Sequence, residues 1–268
     1  MIGEDGSLSV RVRGRDVTWF QFLQATRLAN SKAGCWNSKS YWLPWGLDRL
    51  NASIVKQWTK TSLHKSAPPE PRTKQFKLGR EDSKYRTAAT KRGEEALKSG
   101  VNELMEADLN AVLHTKSWPA DSWGRFLGYE VPLAQESDGQ LKIDLLGIGD
   151  GFLSLVELKQ AHSPSNSPLM ALTEAICYSI QIGRCKKYLC KENSDVDFKA
   201  IRLILAAPGD YWDYWNFEKH EDWSTKMNQI VKSVSEILSD SLSLNLKLEI
   251  FSLVCENDKL QAKQICCE

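Results

Sequence analysis

Asp144, Glu157 and Lys159 are the residues whose types and spacing can do chemistry together. They flank Asp150-Gly151, a dipeptide suited to a two-residue hairpin turn because glycine accepts positive φ and aspartate tolerates it. With those two residues as the loop, Gly149 faces Phe152 and Asp144 falls directly opposite Glu157, with Cβ atoms about 5 Å apart. Side chains alternate along a strand, so Lys159 shares the face of Glu157. Two opposed carboxylates in partly dry surroundings repel, and a divalent cation removes that cost. Mg²⁺ takes one or two carboxylates and completes its shell with waters and phosphate oxygens. The expected chemistry is hydrolysis of a phosphodiester with Mg²⁺ or Mn²⁺ held by Asp144 and Glu157. Lys159 is expected to orient or deprotonate water and to neutralise phosphate. A three-residue loop over 149–151 would put Asp144 opposite Val156 and break this arrangement.

The rest of the hairpin suits a buried position. Ile143, Leu145, Phe152, Val156 and Leu158 are expected on one apolar face. Leu146, Ile148, Leu153 and Leu155 line the other face toward the turn. Charge gathers at the far end, where Lys142 stands formally opposite Lys159.

An acid on one strand followed by acid-x-Lys on the next resembles the PD-(D/E)xK, or restriction-endonuclease-like, nuclease superfamily. Ile143-Asp144 and Glu157-Leu158-Lys159 carry the resemblance, with Ile143 in place of the usual proline. It spans roughly residues 93–254. It implies metal ligands at Asp144 and Glu157 and a catalytic lysine at Lys159. Members often add an acid from the first helix. Within residues 101–113 the apolar stripe Val101, Leu104, Met105, Leu109, Val112 and Leu113 has Glu106 at its border, whereas Glu103 points further toward solvent. Glu106 is therefore the expected fourth member, contacting the metal directly or through water; a solvated helix acid is the alternative. Some branches carry Gln-x-x-x-Tyr on the next helix; here Glu174 replaces the glutamine and Tyr178 aligns. The resemblance gives Glu174 and Tyr178 supporting roles, with a structural tyrosine as the plainer reading. Gln160 is given a minor supporting role beside Lys159.

These residues need elements to hold them. Periodicity predicts a helix over 93–114, strands near 126–134, 140–148 and 152–160, and a helix over 168–190. A strand at 200–207, a helix at 223–239 and a strand at 244–254 follow. The expected fold class is α/β, a restriction-endonuclease-like core in the order α-β-β-β-α-β. Its mixed sheet lies between helices, and a small amino-terminal module is attached. Residues 1–65 read as a small basic, Trp-rich module with a strand at 7–13 and helices near 17–30 and after Asp48. Residues 66–92 read as an exposed basic linker, since Pro68, Pro69 and Pro71 cannot continue a helix. Residues 93–268 form the nuclease-like domain.

Composition bounds the partners. The 268 residues are 42% hydrophobic and 26% charged, ordinary for a globular chain. No apolar run approaches the roughly 20 residues that cross a bilayer, and the amino terminus lacks a secretory pattern, so a cytoplasmic location is expected. Net charge is +1, yet residues 1–100 hold 19 Lys/Arg against 9 Asp/Glu, leaving 16 against 25 in the remainder. The basic third is expected to contact a polyanion. Lys74, Lys77, Arg80, Lys84, Arg86, Lys91 and Arg92 are the candidate nucleic-acid contacts. Seven cysteines without a C-x-x-C pair read as reduced thiols. The four histidines show no ligand spacing, and His162 reads as a loop histidine. Tyr211, Trp212, Tyr214 and Trp215 either stack on bases or seal the sheet edge, the second being favoured. Trp36, Tyr41, Trp42 and Trp45 divide evenly between module core and nucleic-acid contact. No phosphate-binding Gly-rich loop and no nucleophile elbow occur.

The expected function is a metal-dependent endonuclease in defence, mobile-element or repair processes, with DNA favoured over RNA. A homodimer or a partner protein would engage the amino-terminal module, and no membrane is involved. The alternatives are a catalytically silent nucleic-acid-binding or assembly subunit that keeps the fold, and a nuclease subunit that needs a partner.

Overall fold

The structure, a computed structural model, describes residues 83–133, 142–162, 167–215 and 222–266. The amino-terminal module with its strand, helices and tryptophans lies outside the described residues. So do linker residues 66–82, and with them Lys74, Lys77 and Arg80.

Helix α1 (Ser83–Leu97) is followed by a 3₁₀ turn (Val101–Glu103), α2 (Glu106–Thr115) and the short α3 (Ala120–Trp123). Strands β1 (Arg125–Pro132), β2 (Lys142–Gly149) and β3 (Gly151–Leu158) lead to the long helix α4 (Pro168–Glu192). Then come β4 (Phe198–Pro208), α5 (Gly209–Tyr214), α6 (Asp222–Leu242), β5 (Asn245–Glu256) and β6 (Lys259–Cys266). The six strands form one sheet in chain order. β1–β2, β2–β3 and β5–β6 pair antiparallel, whereas β3–β4 and β4–β5 pair parallel. The expectation of an α/β chain with a mixed sheet holds at that level.

The elements form for local reasons. Ser167 caps α4 by accepting a hydrogen bond from Met170 N at 3.2 Å, and Pro168 occupies the first turn, where no amide is needed. β4 is central and flanked by parallel neighbours, so Ile201, Leu203, Ile204, Leu205, Ala206 and Ala207 are all buried. One core cluster joins this sheet to α4 and α6 through residues such as Ile176, Ile180, Val234 and Leu238. A second, on the opposite face, joins Leu109, Val112 and Leu113 of α2 to Leu145, Val156, Ile204 and Phe251. The sheet thus lies between helical layers.

Several expectations need correction. The single helix over 93–114 is two helices, broken around Gly100, whose φ of 106° a helix cannot contain. The end of the expected linker is helical: α1 begins at Ser83, so Lys84, Arg86, Lys91 and Arg92 stand on a helix that runs across the expected 92/93 boundary. Arg92 forms an ion pair with the buried carboxylate of Asp108 instead of extending freely toward phosphate. Lys91 is exposed. Strand β6 and helices α3 and α5 were not foreseen. Ile143 packs in the α4-side cluster with Val131 and Leu133, while Leu145 packs with Tyr129 in the other. The alternation along β2 is therefore broken at Asp144, beside Glu130, whose φ is 44°.

Candidate active site

The hairpin register matches the one derived from Asp150-Gly151. Gly149 pairs with Phe152, and the ladder runs on through Ile148–Leu153 and Leu146–Leu155 to Leu145–Val156. Gly151 carries the positive φ, 73°, that this bend requires. The ladder stops one pair short of Asp144 and Glu157. β2 stays paired with β1 as far as Lys142, while β3 follows β4, with Lys159 N donating to Ala206 O at 3.0 Å. Direct opposition of the two acids in a regular ladder is thus replaced by a parting of strands. Asp144 Oδ2 fills the gap by accepting from Leu158 N at 2.8 Å.

At this parting the charged groups meet. Lys159 Nζ lies 2.5 Å from Glu157 Oε1 and 3.2 Å from Glu174 Oε2, the latter reaching down from α4. Glu157, Lys159 and Glu174 are 4%, 3% and 0% exposed. The lysine is therefore clamped between two carboxylates in a dry setting, where each of its bonds is charge-assisted. Glu157 Oε2 is buried without a hydrogen-bond partner. Asp144 is half-buried, and its carbonyl accepts from Asn110 Nδ2 at 3.1 Å, which ties β2 to α2. Glu106 opens α2, one turn before Asn110, and is half-buried; Glu103 is exposed.

The electrostatics follow from burial and crowding of like charge. Burial raises the Asp144 carboxyl to about 8; Glu106 adds to the rise, and Lys159 and the Leu158 amide oppose it. Burial likewise pushes Glu157 well above the usual carboxylate range, against the pull of Lys159 and with Asp144, Glu174 and Glu106 adding to it. Burial alone would discharge Lys159, but Glu157, Glu174, Glu106 and Asp144 together hold its pKa well above the ordinary value. Burial also raises Tyr178, with contributions from Glu157, Glu174 and Asp144. Tyr211, the second residue after the glycine that opens α5, is raised first by burial and next shaped by Lys159 and Glu174.

Asp144, Glu157, Lys159 and Glu174 thus come together, with Glu106 and Tyr178 within electrostatic reach. Gln160 turns away: its amide donates to the carbonyl of His162 at 3.3 Å. His162 is an exposed loop residue. Tyr211, Trp212 and Trp215 are buried, at most 3% exposed, so they pack and do not offer faces to bases. Sequence reasoning missed two participants. Asn110 stands four residues after Glu106, on the same helix face, and that spacing was available as a signal. Tyr211 reads in the sequence as an aromatic that stacks on bases or seals the sheet edge, and nothing local ties it to Lys159.

Comparison with known proteins finds no matching family model, no matching curated protein and no matching solved structure. The site is therefore judged on its donors. Among the described residues, no three of His, Cys, Asp and Glu are grouped to hold a metal ion. The carboxylates present are hard oxygen donors, and Glu157 Oε2 lacks a partner. Mg²⁺ needs only one or two such groups, with waters and phosphate completing the shell. By its chemistry this donor set would suit a hard divalent cation. Cys177 and Cys185, buried in α4, and the half-buried Cys190 and Cys255 are free thiols.

Proposed function

We propose that this chain is a metal-dependent phosphodiesterase of the PD-(D/E)xK type, an endonuclease with DNA favoured over RNA. The observation that carries the reading is the meeting of Asp144, Glu157, Lys159 and Glu174 where β2 and β3 part, in a core whose main elements run α-β-β-β-α-β. Asp144 and Glu157 would hold Mg²⁺ or Mn²⁺, with Glu106 contributing directly or through water. When bound, such a cation stabilises the charge of a phosphoryl transition state and acidifies water. Lys159 offers an ammonium that can hold the attacking water or neutralise a phosphate oxygen. The Leu158 amide fixes Asp144, and Tyr178 and Tyr211 are buried within electrostatic reach of Glu157, Glu174 and Lys159. Lys91 and the basic residues before it would hold the nucleic acid backbone, and the site of action would be the cytoplasm.

The test is incubation of the purified full chain with supercoiled plasmid and with RNA, in Mg²⁺, in Mn²⁺ and with chelator. Metal-dependent nicking or linearisation, abolished by D144N and by K159M, is the expected result. Binding of nucleic acid without cleavage in any metal would sink the reading. One observation favours a second reading: Lys159 is sealed between Glu157 and Glu174, and no three-group metal cluster stands ready. That second reading is a silent nucleic-acid-binding or assembly subunit that uses these charges only to hold its fold.

A further inference from the structure

Lys159 has two carboxylate partners from different elements, and the function proposed above needs only one of them. Glu157 lies at the end of β3, two residues before Lys159, and also presents the unpartnered buried oxygen Oε2. Glu174 comes from α4, is fully buried and is joined to Lys159 at 3.2 Å. If Glu157 turned to a cation with no other acid present, Lys159 would be left as a buried charge without its counter-ion, an arrangement that proteins avoid. Glu174 supplies that counter-ion from a rigid helix.

We propose that Glu174 is a positioning residue that receives Lys159 when a divalent cation takes Glu157, so that cation binding exchanges the partners of Lys159. The inference rests on the metal-dependent reading above. Lys159 and the cation are competitors for Glu157, and Glu174 lowers the grip of Lys159 on it. Glu174 thereby raises the affinity of the site for the cation without being a ligand. The same contact keeps the lysine's ammonium beside the acids for substrate phosphate.

Titration calorimetry with Mn²⁺ alone, on the full chain without nucleic acid, tests this. E174Q is expected to weaken Mn²⁺ binding about tenfold, as loss of an outer-shell partner does. K159M is expected to tighten it, since Glu157 is then uncontested. In the K159M background, E174Q is expected to change affinity by less than about twofold, because a positioning residue has nothing left to position. An equal loss from E174Q in both backgrounds would mean that Glu174 merely attracts the cation through space, and would overturn the exchange. Should E174Q fail to fold, K159M alone decides: unchanged or weaker Mn²⁺ binding overturns it. Absence of Mn²⁺ binding by the unaltered protein would overturn this inference and the metal-dependent function together, whereas binding with additive effects would remove only the exchange.

Discussion

At the scale of single residues, Asp144, Glu157, Lys159 and Glu174 do different work although they share one small volume. Asp144 caps an amide and is the more open acid; Glu157 is sealed and half-satisfied; Lys159 balances the charge. Removing the lysine leaves two buried acids uncompensated, so K159M is expected to lower unfolding free energy by about 3–5 kcal/mol, measured by urea denaturation in chelator. D144N keeps an oxygen to accept from Leu158 N and removes a charge that burial already disfavours. Its stability without metal should equal or exceed that of the unaltered protein. Under the proposed function, D144N should lose cleavage of plasmid, a fall of at least about a hundredfold, the scale seen when a charge-stabilising group is lost. Loss of stability together with activity in D144N would mean that Asp144 is structural.

At the scale of elements, the site depends on how the hairpin is bent and on what anchors it. Gly151 has φ of 73° and open space around a would-be Cβ, so Gly151→Ala tests backbone strain alone. About 1–2 kcal/mol of destabilisation is expected by thermal or urea unfolding, with the fold retained. Asn110→Ala removes the hydrogen bond from α2 to the Asp144 carbonyl. Its expected stability cost is small, about 0.5–1.5 kcal/mol. Its effect on cleavage should be larger than stability explains, because α2 also carries Glu106. The hairpin turn, its register and most of its faces were legible because a two-residue turn and a period of two leave few alternatives. The parting of the strands at Asp144 was not legible. It arises from competition between β1 and β4 for the two arms, and from the broken alternation at Ile143–Asp144–Leu145. The break around Gly100 was hidden for another reason: apolar residues continue on both sides of it, since Ala96 and Leu97 before it pack against the same cluster as Leu104 and Leu109 after it.

At the scale of the whole molecule, the buried acids link stability to pH. The folded state holds the proton of Asp144 up to about pH 8, whereas an ordinary aspartate in the unfolded chain releases it near 3.8. The folded chain therefore binds more protons in that window, and stability falls as pH rises from about 4 to about 8. Glu157 acts in the same direction. Melting temperature in chelator is expected to drop between pH 5 and pH 8. Under the proposed function, Mn²⁺ should offset that drop at pH 8 more than at pH 5, because a cation held by Asp144 and Glu157 would need them deprotonated. A melting temperature that rises over this range in chelator would show that the acids are not raised. No helix of the described residues is long and apolar enough to cross a membrane.

The sequence by itself determined what the short-range rules control: the α/β character, the tight bend at 150–151, the ladder that follows from it, and the candidacy of Asp144, Glu157 and Lys159. Alternation and turn chemistry act over a few residues, so they can be read without knowing what lies beyond. Only the tertiary structure decided that β2 and β3 part at the acids and that Glu174 closes on Lys159 from α4. It also decided that Tyr211 is buried within reach of their charges and that Arg92 is occupied by Asp108. Those outcomes depend on which elements compete for the same strand edge and the same buried charge, and that competition exists only once the sheet and both helical layers have assembled.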